Sequence, residues 1–288
     1  MKIAHLVLAH KNPQQLERML EALDHPQCDF FIHLDKKADI SQFIYLGKKG
    51  KIFFVEKRVD VRWACYSLVQ AQLNGMEEIV ATGRYNYINV MSGQDFPLYP
   101  AKTIYDFFTE HSGKEFISAK AFHDEEEWWR EALYRVKRYH FQNWRIPGKY
   151  RIQHMVNKIF PDRKYPLNHI LAGRSQWFSI TTVCAKYILD FLKEHPEVVR
   201  FFKYVWGADE FIFSTIVYNS SFRQNVNDTL MYTDWSEKNP NPKILTTKDY
   251  DTIIHSGKLF ARKFDIEKDA DIFMMLEERA SGKALHIN

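Results

Sequence analysis

The sequence predicts an α/β fold built on a mostly parallel central sheet with helices on both faces. Three observations carry that prediction. Short runs of strand length alternate with helical periodicities from residue 3 to residue 91. Those runs are apolar almost throughout, as strands covered on both faces require. With 45% apolar and 26% charged residues, a chain of 288 residues is long enough to bury such a sheet.

Ile3–Leu8 is the first strand. Asn12-Pro13 then supplies an N-cap and a proline at the first helical position, and Leu16, Met19, Leu20 and Leu23 recur at spacings of three and four on one helix face. Phe30–Leu34 is a second strand ending at Asp35, and Ile52–Val55 a third. Ser67–Ala81 reads as a helix whose apolar positions are Leu68, Ala71, Met76, Ile79 and Val80. Tyr87–Met91 is a fourth strand, ending in Ser92-Gly93-Gln94-Asp95. The sheet pattern resumes at Gln176–Ile180, followed by a helix near Val183–Leu192. A further helix is expected to begin at Ala208-Asp209-Glu210 and run to about Tyr218. Without an internal repeat or low-complexity linker, residues 1–288 read as one domain, with about 120–174 a less regular, basic and aromatic excursion from the sheet.

Composition excludes several classes. A net charge of only +4 is too small to argue for nucleic acid. Three cysteines, Cys28, Cys65 and Cys184, are too few for a disulfide framework and point to a reducing compartment. No apolar run reaches the roughly 18 residues that span a bilayer. The N-terminal run reads as a strand rather than a leader, since a histidine interrupts it and no small-residue cleavage site follows. A cytoplasmic location is the resulting expectation. Neither a glycine-rich dinucleotide turn nor a P-loop is present.

In open α/β sheets the ligand site lies beyond the carboxyl ends of the strands, which places Ala9, His10, Asp35 and Ser92–Asp95 there. Asp35 is suited to accept hydrogen bonds from a uracil or ribose, or to cap the next turn. Asp95 stands where a metal-holding Asp-x-Asp would end, but Gly93 replaces the first carboxylate, so no metal site is expected. The strings Asp249-Tyr250-Asp251 and Asp269-Ala270-Asp271 follow no apolar strand and read as chance occurrences. Asp209-Glu210, after Trp206-Gly207, is either an acidic first turn of a helix or a general base fixed beside aromatics. Arg262-Lys263, in an aromatic frame, is either a solvated pair or a cationic seat for phosphates. Eight Lys or Arg side chains lie between Lys137 and Lys164 against one acidic residue, Asp162. That stretch reads as a solvated flank or as a surface for a polyanion or for peripheral membrane contact.

Five segments in order give the sequence a resemblance to the core-2/I-branching β-1,6-N-acetylglucosaminyltransferases, glycosyltransferase family 14, which include the peptide O-xylosyltransferases. They are Ile3–His10 with Phe31–Asp35, Val61-Arg62-Trp63 to Ala71, Tyr87–Pro97, Ala208-Asp209-Glu210, and Leu259–Asp265. The resemblance covers roughly residues 2 to 275 and looks like a bacterial-type, cytoplasmic member. It implies a GT-A-like nucleotide-sugar fold and an inverting transfer from a UDP-sugar, N-acetylglucosamine or xylose, to a glycan hydroxyl in surface polysaccharide synthesis, without a divalent metal or other cofactor. By position, Glu210 would be the catalytic base, Lys263 with Arg262 the cations on the departing diphosphate, and Ala9, His10, Asp35 and Trp63 the uridine site. Asp95, Asp209 and Trp177 would fall near the sugar or acceptor. A second phosphate-binding arginine of the family would fall near Leu230-Met231-Tyr232, where none stands; Arg262 or Lys243 would have to substitute. A non-catalytic binder of glycan, polyanion or membrane on the same fold is the alternative reading. A glycoside hydrolase fits less well, because adjacent Asp209 and Glu210 cannot easily flank a bond.

Overall fold

The structure, a computed structural model, describes residues 1–122 and 127–281. In chain order its strands are β1 (Ile3–Ala9), β2 (Cys28–Leu34), β3 (Ile52–Phe54), β4 (Tyr87–Ser92), β5 (Asp95–Pro97), β6 (Glu115–Phe116), β7 (Ala119–Ala121), β8 (Ala172–Arg174), β9 (Phe178–Thr181), β10 (Val226–Asn227), β11 (Met231–Thr233) and β12 (Phe260–Arg262). Its α-helices are α1 (Pro13–Ala22), α2 (Tyr66–Ala81), α3 (Ala101–Glu110), α4 (Glu127–Lys137), α5 (Lys149–Ile159), α6 (Thr182–Glu194), α7 (Pro196–Phe202), α8 (Ile212–Tyr218), α9 (Tyr250–Ile254) and α10 (Asp271–Ala280).

The α/β expectation holds. A seven-stranded sheet runs in the order β10-β6-β9-β4-β1-β2-β3. β1 pairs in parallel with β2 and β4, and β2 in parallel with β3. Every residue of β1, β2 and β4 is buried, which is why those runs carry no polar alternation. On α1 the expected stripe Leu16, Met19, Leu20 and Leu23 is buried. Asn12 occupies the N-cap position but at φ 53° and without a side-chain capping bond.

The central sheet is mostly parallel, as expected, and only β9 runs antiparallel to its neighbours β4 and β6. Two expectations are corrected. The acidic pair does not open the helix: Ala208–Glu210 forms a 3₁₀ turn of its own and α8 starts after it. Phe211, fully buried at φ −120°, breaks the helical path between the two. The stretch near 120–174 is more regular than expected, with the antiparallel pair β7–β8 and two eleven-residue helices, α4 and α5. Interleaved basic residues hide the spacing of Trp129, Ala132 and Val136, which bury one face of α4.

A second sheet, β11-β12-β5, was not anticipated. β12 pairs antiparallel with β5, setting Arg262 opposite Asp95. Phe96 of β5 is fully buried edge-on to Phe264 and Phe273, with ring centroids 6.3 and 5.3 Å away, so β5, the end of β12 and α10 share one aromatic core.

Helix α2 packs on β1 through Gly75, where an added Cβ would stand 2.3 Å from Leu6 Cδ1. Leu6 is fully buried and has no room to yield. Gly75→Val is therefore expected to lower the urea midpoint by an amount equivalent to about 1–3 kcal/mol, despite the better helix propensity of valine. An unchanged midpoint would mean that α2 and β1 are not in this close register.

Candidate active site

The carboxyl ends of β1, β2 and β4 converge with the end of β12, and the local chemistry explains why. Asp35, after β2, donates its backbone N–H to the carbonyl of Ala9 at 2.8 Å. Its buried carboxylate accepts from the Lys37 backbone N–H and from Lys37 Nζ, both at 2.8 Å. Lys37 also pairs with Asp60 at 2.8 Å and donates to the carbonyl of Val61. His10 stays open to solvent on one side, and partial desolvation of its ring together with Lys11, Lys263 and Lys37 lowers its pKa, against a raising effect of Asp35. From α1, fully buried Gln15 donates to the carbonyls of Gly93 and Phe264 at 3.0 and 3.2 Å and accepts from the N–H of Ile266 at 2.9 Å. One amide side chain thus ties the Gly93 loop to the segment after β12.

At the centre lies a buried ion pair. Asp95 is fully buried; it accepts from the Ser92 N–H at 2.7 Å, from Ser92 Oγ at 2.6 Å and from Arg262 Nε at 3.1 Å. The Arg262 guanidinium lies 4.4 Å from the centroid of the Trp177 ring. The expected phosphate role of Arg262 thus meets a guanidinium already held by Asp95 and Trp177. Lys263, the next residue, is half-buried, and its ammonium makes no hydrogen bond or ion pair among the described residues. Burial, then Arg262 and Lys11, lower its pKa. The Arg262–Lys263 peptide is cis.

The acidic turn closes the other side. Gly207 adopts φ 67°, and an added Cβ there would meet Arg135 Nη2 at 2.1 Å. Gly173 of β8 is equally constrained, since its Cβ would stand 2.3 Å from the carbonyl oxygen of Glu210. Glu210 pairs with Arg135 Nη2 at 2.9 Å, and about a quarter of its side chain (27%) is exposed. Arg135 comes from α4; it donates from Nε to the carbonyl of Trp206 at 3.1 Å and lies 5.0 Å from the ring centroids of both Trp206 and Phe211. Burial raises the Glu210 pKa and Arg135 opposes the rise. Asp209 is buried with an Oδ1 that has no hydrogen-bond partner, and its carboxyl is pushed up to about 7, first by burial and then by the charge of Glu210. Trp63 is 60% exposed and stands edge-on to Trp206 at 5.8 Å, next to this turn and two residues beyond Val61.

Other sequence expectations find their places away from the centre. Lys243 is committed to Asp249 at 2.5 Å, so it stands in a local ion pair. Asp249 also completes a capping box with Thr246, and Asp269 accepts from the N–H groups of Thr247 and Ile272, which accounts for both Asp-x-Asp strings structurally. His5 is buried and pushed down to about 4 by that burial. Cys28, Cys65 and Cys184 are buried free thiols. Among the described residues no group of three or more His, Cys, Asp or Glu is arranged to hold a metal, and no helix is long and apolar enough to cross a membrane.

Comparison with known proteins gives this arrangement its context. The family model for "Core-2/I-Branching enzyme" matches residues 3–254. The chain belongs to that family. As a branching-enzyme family member it is a glycosyltransferase, and the family implies a nucleotide-sugar donor and a glycan acceptor. It is 24% identical over 98% of its length to a human β-1,3-galactosyl-O-glycosyl-glycoprotein β-1,6-N-acetylglucosaminyltransferase, covering 70% of that protein. It is 23% identical over 93% of its length to the xylosyltransferase oxt of Drosophila pseudoobscura pseudoobscura, but spans only 32% of that longer protein. Among solved structures, the apo form of mouse xyloside xylosyltransferase 1 aligns with a TM-score of 0.40 and 9% identity over 90% of this chain and 97% of that one, a likeness too distant to bear on activity.

Within this candidate site, sequence reasoning missed Arg135, Lys37 and Gln15. The signal for Arg135 was an arginine on the Trp129, Ala132, Val136 face of a helix, where an apolar residue is expected. Gln15, likewise, stands beside Leu16 on a face that is otherwise apolar.

The raised pKa of the buried Asp209 carboxyl makes stability depend on pH. An unfolded Asp releases its proton near pH 4 and the folded one near 7, so between those values the folded state holds the extra proton and stability falls as pH rises, levelling above 7. Asp209→Asn is expected to be stabilising at pH 8 by on the order of one to a few kcal/mol and to have little of that benefit at about pH 4. Urea midpoints at the two values check this; a difference that does not change with pH refutes the assignment.

Proposed function

We propose that the protein transfers N-acetylglucosamine or xylose from a UDP-sugar to a hydroxyl of a glycan, with inversion and without a divalent metal, in the synthesis of a surface polysaccharide. One observation carries this reading: Lys263 is a half-buried ammonium without a partner among the described residues, set by the Asp95–Arg262 pair at the strand ends, while Glu210 is a partly exposed carboxylate held by Arg135 on the turn beyond.

In this scheme the uridine lies against Ala9, His10 and Asp35, with Trp63 at its margin, and the diphosphate reaches Lys263. The acceptor hydroxyl oxygen forms a bond to the anomeric carbon on the face opposite UDP. The bond from that carbon to the phosphate oxygen breaks, and its electron pair leaves with UDP. The hydroxyl proton passes to Glu210. Desolvation raises the pKa of this carboxylate, as suits a proton acceptor, and Arg135 opposes the rise. Lys263 neutralises charge on the leaving group, the task a divalent cation performs elsewhere. The metal-free reading is supported by Asp95, whose carboxylate is already engaged on both oxygens by Ser92 and Arg262. Asp209 and Trp177 border Arg262 and are suited to line the sugar.

Glu210→Gln is expected to lower kcat by about 10²–10⁴-fold and to leave the Kd for UDP unchanged. Wild-type turnover in the variant would remove the base assignment. Lys263→Ala should weaken UDP binding by about 10–100-fold, as loss of a charge-assisted hydrogen bond does. A thermal-shift panel of UDP-sugars with and without EDTA tests the donor class and the metal together. UDP-dependent stabilisation that survives EDTA is expected, and stabilisation that requires Mn²⁺ would overturn the cation assignment.

A further inference from the structure

The segment that carries Arg135 continues into a helix built inside out. On α5, Gln153 and Asn157 face the protein: Gln153 Oε1 accepts from the N–H of Phe141 at 2.9 Å, and Asn157 both accepts from the N–H of Tyr139 and donates to its carbonyl, each at 2.8 Å. No residue of α5 is buried. Ile152, Met155 and Ile159, spaced three and four apart and therefore on one face, are 37%, 59% and 72% exposed. The next residue, Phe160, is 54% exposed. A surface helix ordinarily turns its apolar stripe to the core and its amides to water; α5 does the reverse.

Beside that stripe, one position round the helix, run Arg151 and Lys158, both exposed and without an ion-pair partner among the described residues. The surrounding stretch Lys137–Lys164 carries eight basic residues and one acid in a chain whose net charge is +4, so the remainder of the protein is net acidic. Several of these cations are used internally: Arg163 lies 4.2 Å from the Phe201 ring centroid, Arg138 pairs with Asp162, and Lys149 donates to the carbonyls of Gln142 and Trp144. Arg151, Lys158 and Lys164 are left for solvent or a partner.

We propose that this face of α5 docks on the surface of a bilayer containing anionic lipid, the apolar stripe entering the headgroup boundary and Arg151 and Lys158 pairing with lipid phosphates. The two halves of the surface select this occupant. A soluble polyanion would pair with the cations but offer nothing to cover Ile152, Met155 and Ile159. A second copy would cover the stripe but set one cationic face against another. An anionic bilayer satisfies both, which is the pattern of an interfacial amphipathic helix. The helix also connects to the candidate site, because Arg145, just before it, pairs with Asp60, which shares Lys37 with Asp35.

The test is flotation of the full chain with vesicles of phosphatidylcholine alone or with about one-third phosphatidylglycerol. Association with the anionic vesicles is expected to exceed that with the neutral ones by at least about tenfold and to weaken with salt. The combined variant Ile152→Ser, Met155→Ser, Ile159→Ser should lose at least about tenfold, and Arg151→Glu with Lys158→Glu more than about fivefold for each cation. All these side chains are exposed, so the thermal midpoint should hold; if the triple variant does not fold, Ile159→Asp alone makes the same comparison. Three results overturn the proposal. One is equal or absent binding to both vesicle types. Another is heparin binding in place of vesicle binding, kept by the serine variant. The third is a dimer in sedimentation velocity that the serine variant disperses.

Discussion

The arrangement of the site depends on the ion pair between Asp95 and Arg262. It joins residues 167 positions apart across β5 and β12 of the small second sheet, and Asp95 ties the pair to Ser92 at the end of β4. Both charges are taken out of water, and such pairs hold only when the remaining hydrogen-bonding capacity is met. Asp95 meets it through Ser92, and Arg262 gains the face of Trp177. Removing either partner would strand the other charge, at a cost of about 3–5 kcal/mol. Lys263 is the next residue along, so its position is inherited from a pair that cannot shift without that cost.

Around this pair the charges sort themselves. Lys11 is held by Asp265, Lys37 by Asp35 and Asp60, Arg135 by Glu210, and Lys243 by Asp249. Lys263 is left with the cations Arg262 and Lys11 as its strongest electrostatic influences and no ion-pair partner among the described residues. An ammonium so placed is disfavoured in the empty site and relieved by an arriving anion, so differential stabilisation is available to a diphosphate without any rearrangement of the scaffold. Glu210 shows the complementary arrangement. Its burial favours the protonated form and raises its pKa, and Arg135, set between two rings and against Gly207, opposes that rise.

The parts of this picture that were legible in the sequence are those with length. Strands β1, β2 and β4 run six or seven residues and are buried on both faces, so their apolar runs announce them. Strands β5, β11 and β12 have three residues each, too few for any period, and they build the sheet that places Arg262 and Lys263. The acidic pair stands before an apolar helix, yet the 3₁₀ turn it forms is bounded by Gly207 and Phe211 and packed by Gly173, which only the fold brings alongside. The roles of Glu210 and Lys263 came from resemblance to a family, whereas Arg135 and Gln15 were hidden as single polar residues on apolar helix faces.

The same segment that escaped regular assignment shows why total charge is a poor guide to surfaces. Between Lys137 and Lys164 the arginines and lysines divide by environment. Arg163 lies among Tyr139, Phe201 and Tyr204, its guanidinium stacked where water is excluded, as delocalised charge permits. Arg151, Lys158 and Lys164 point outward. The amides of Gln153 and Asn157 do the work of attaching α5 to the protein, and they do it with backbone hydrogen bonds rather than apolar contact. An attachment of that kind frees the apolar face of the helix from any part in folding. Its exposure then has no explanation within the folded chain, and its basic border gives the sign of the charge that should cover it.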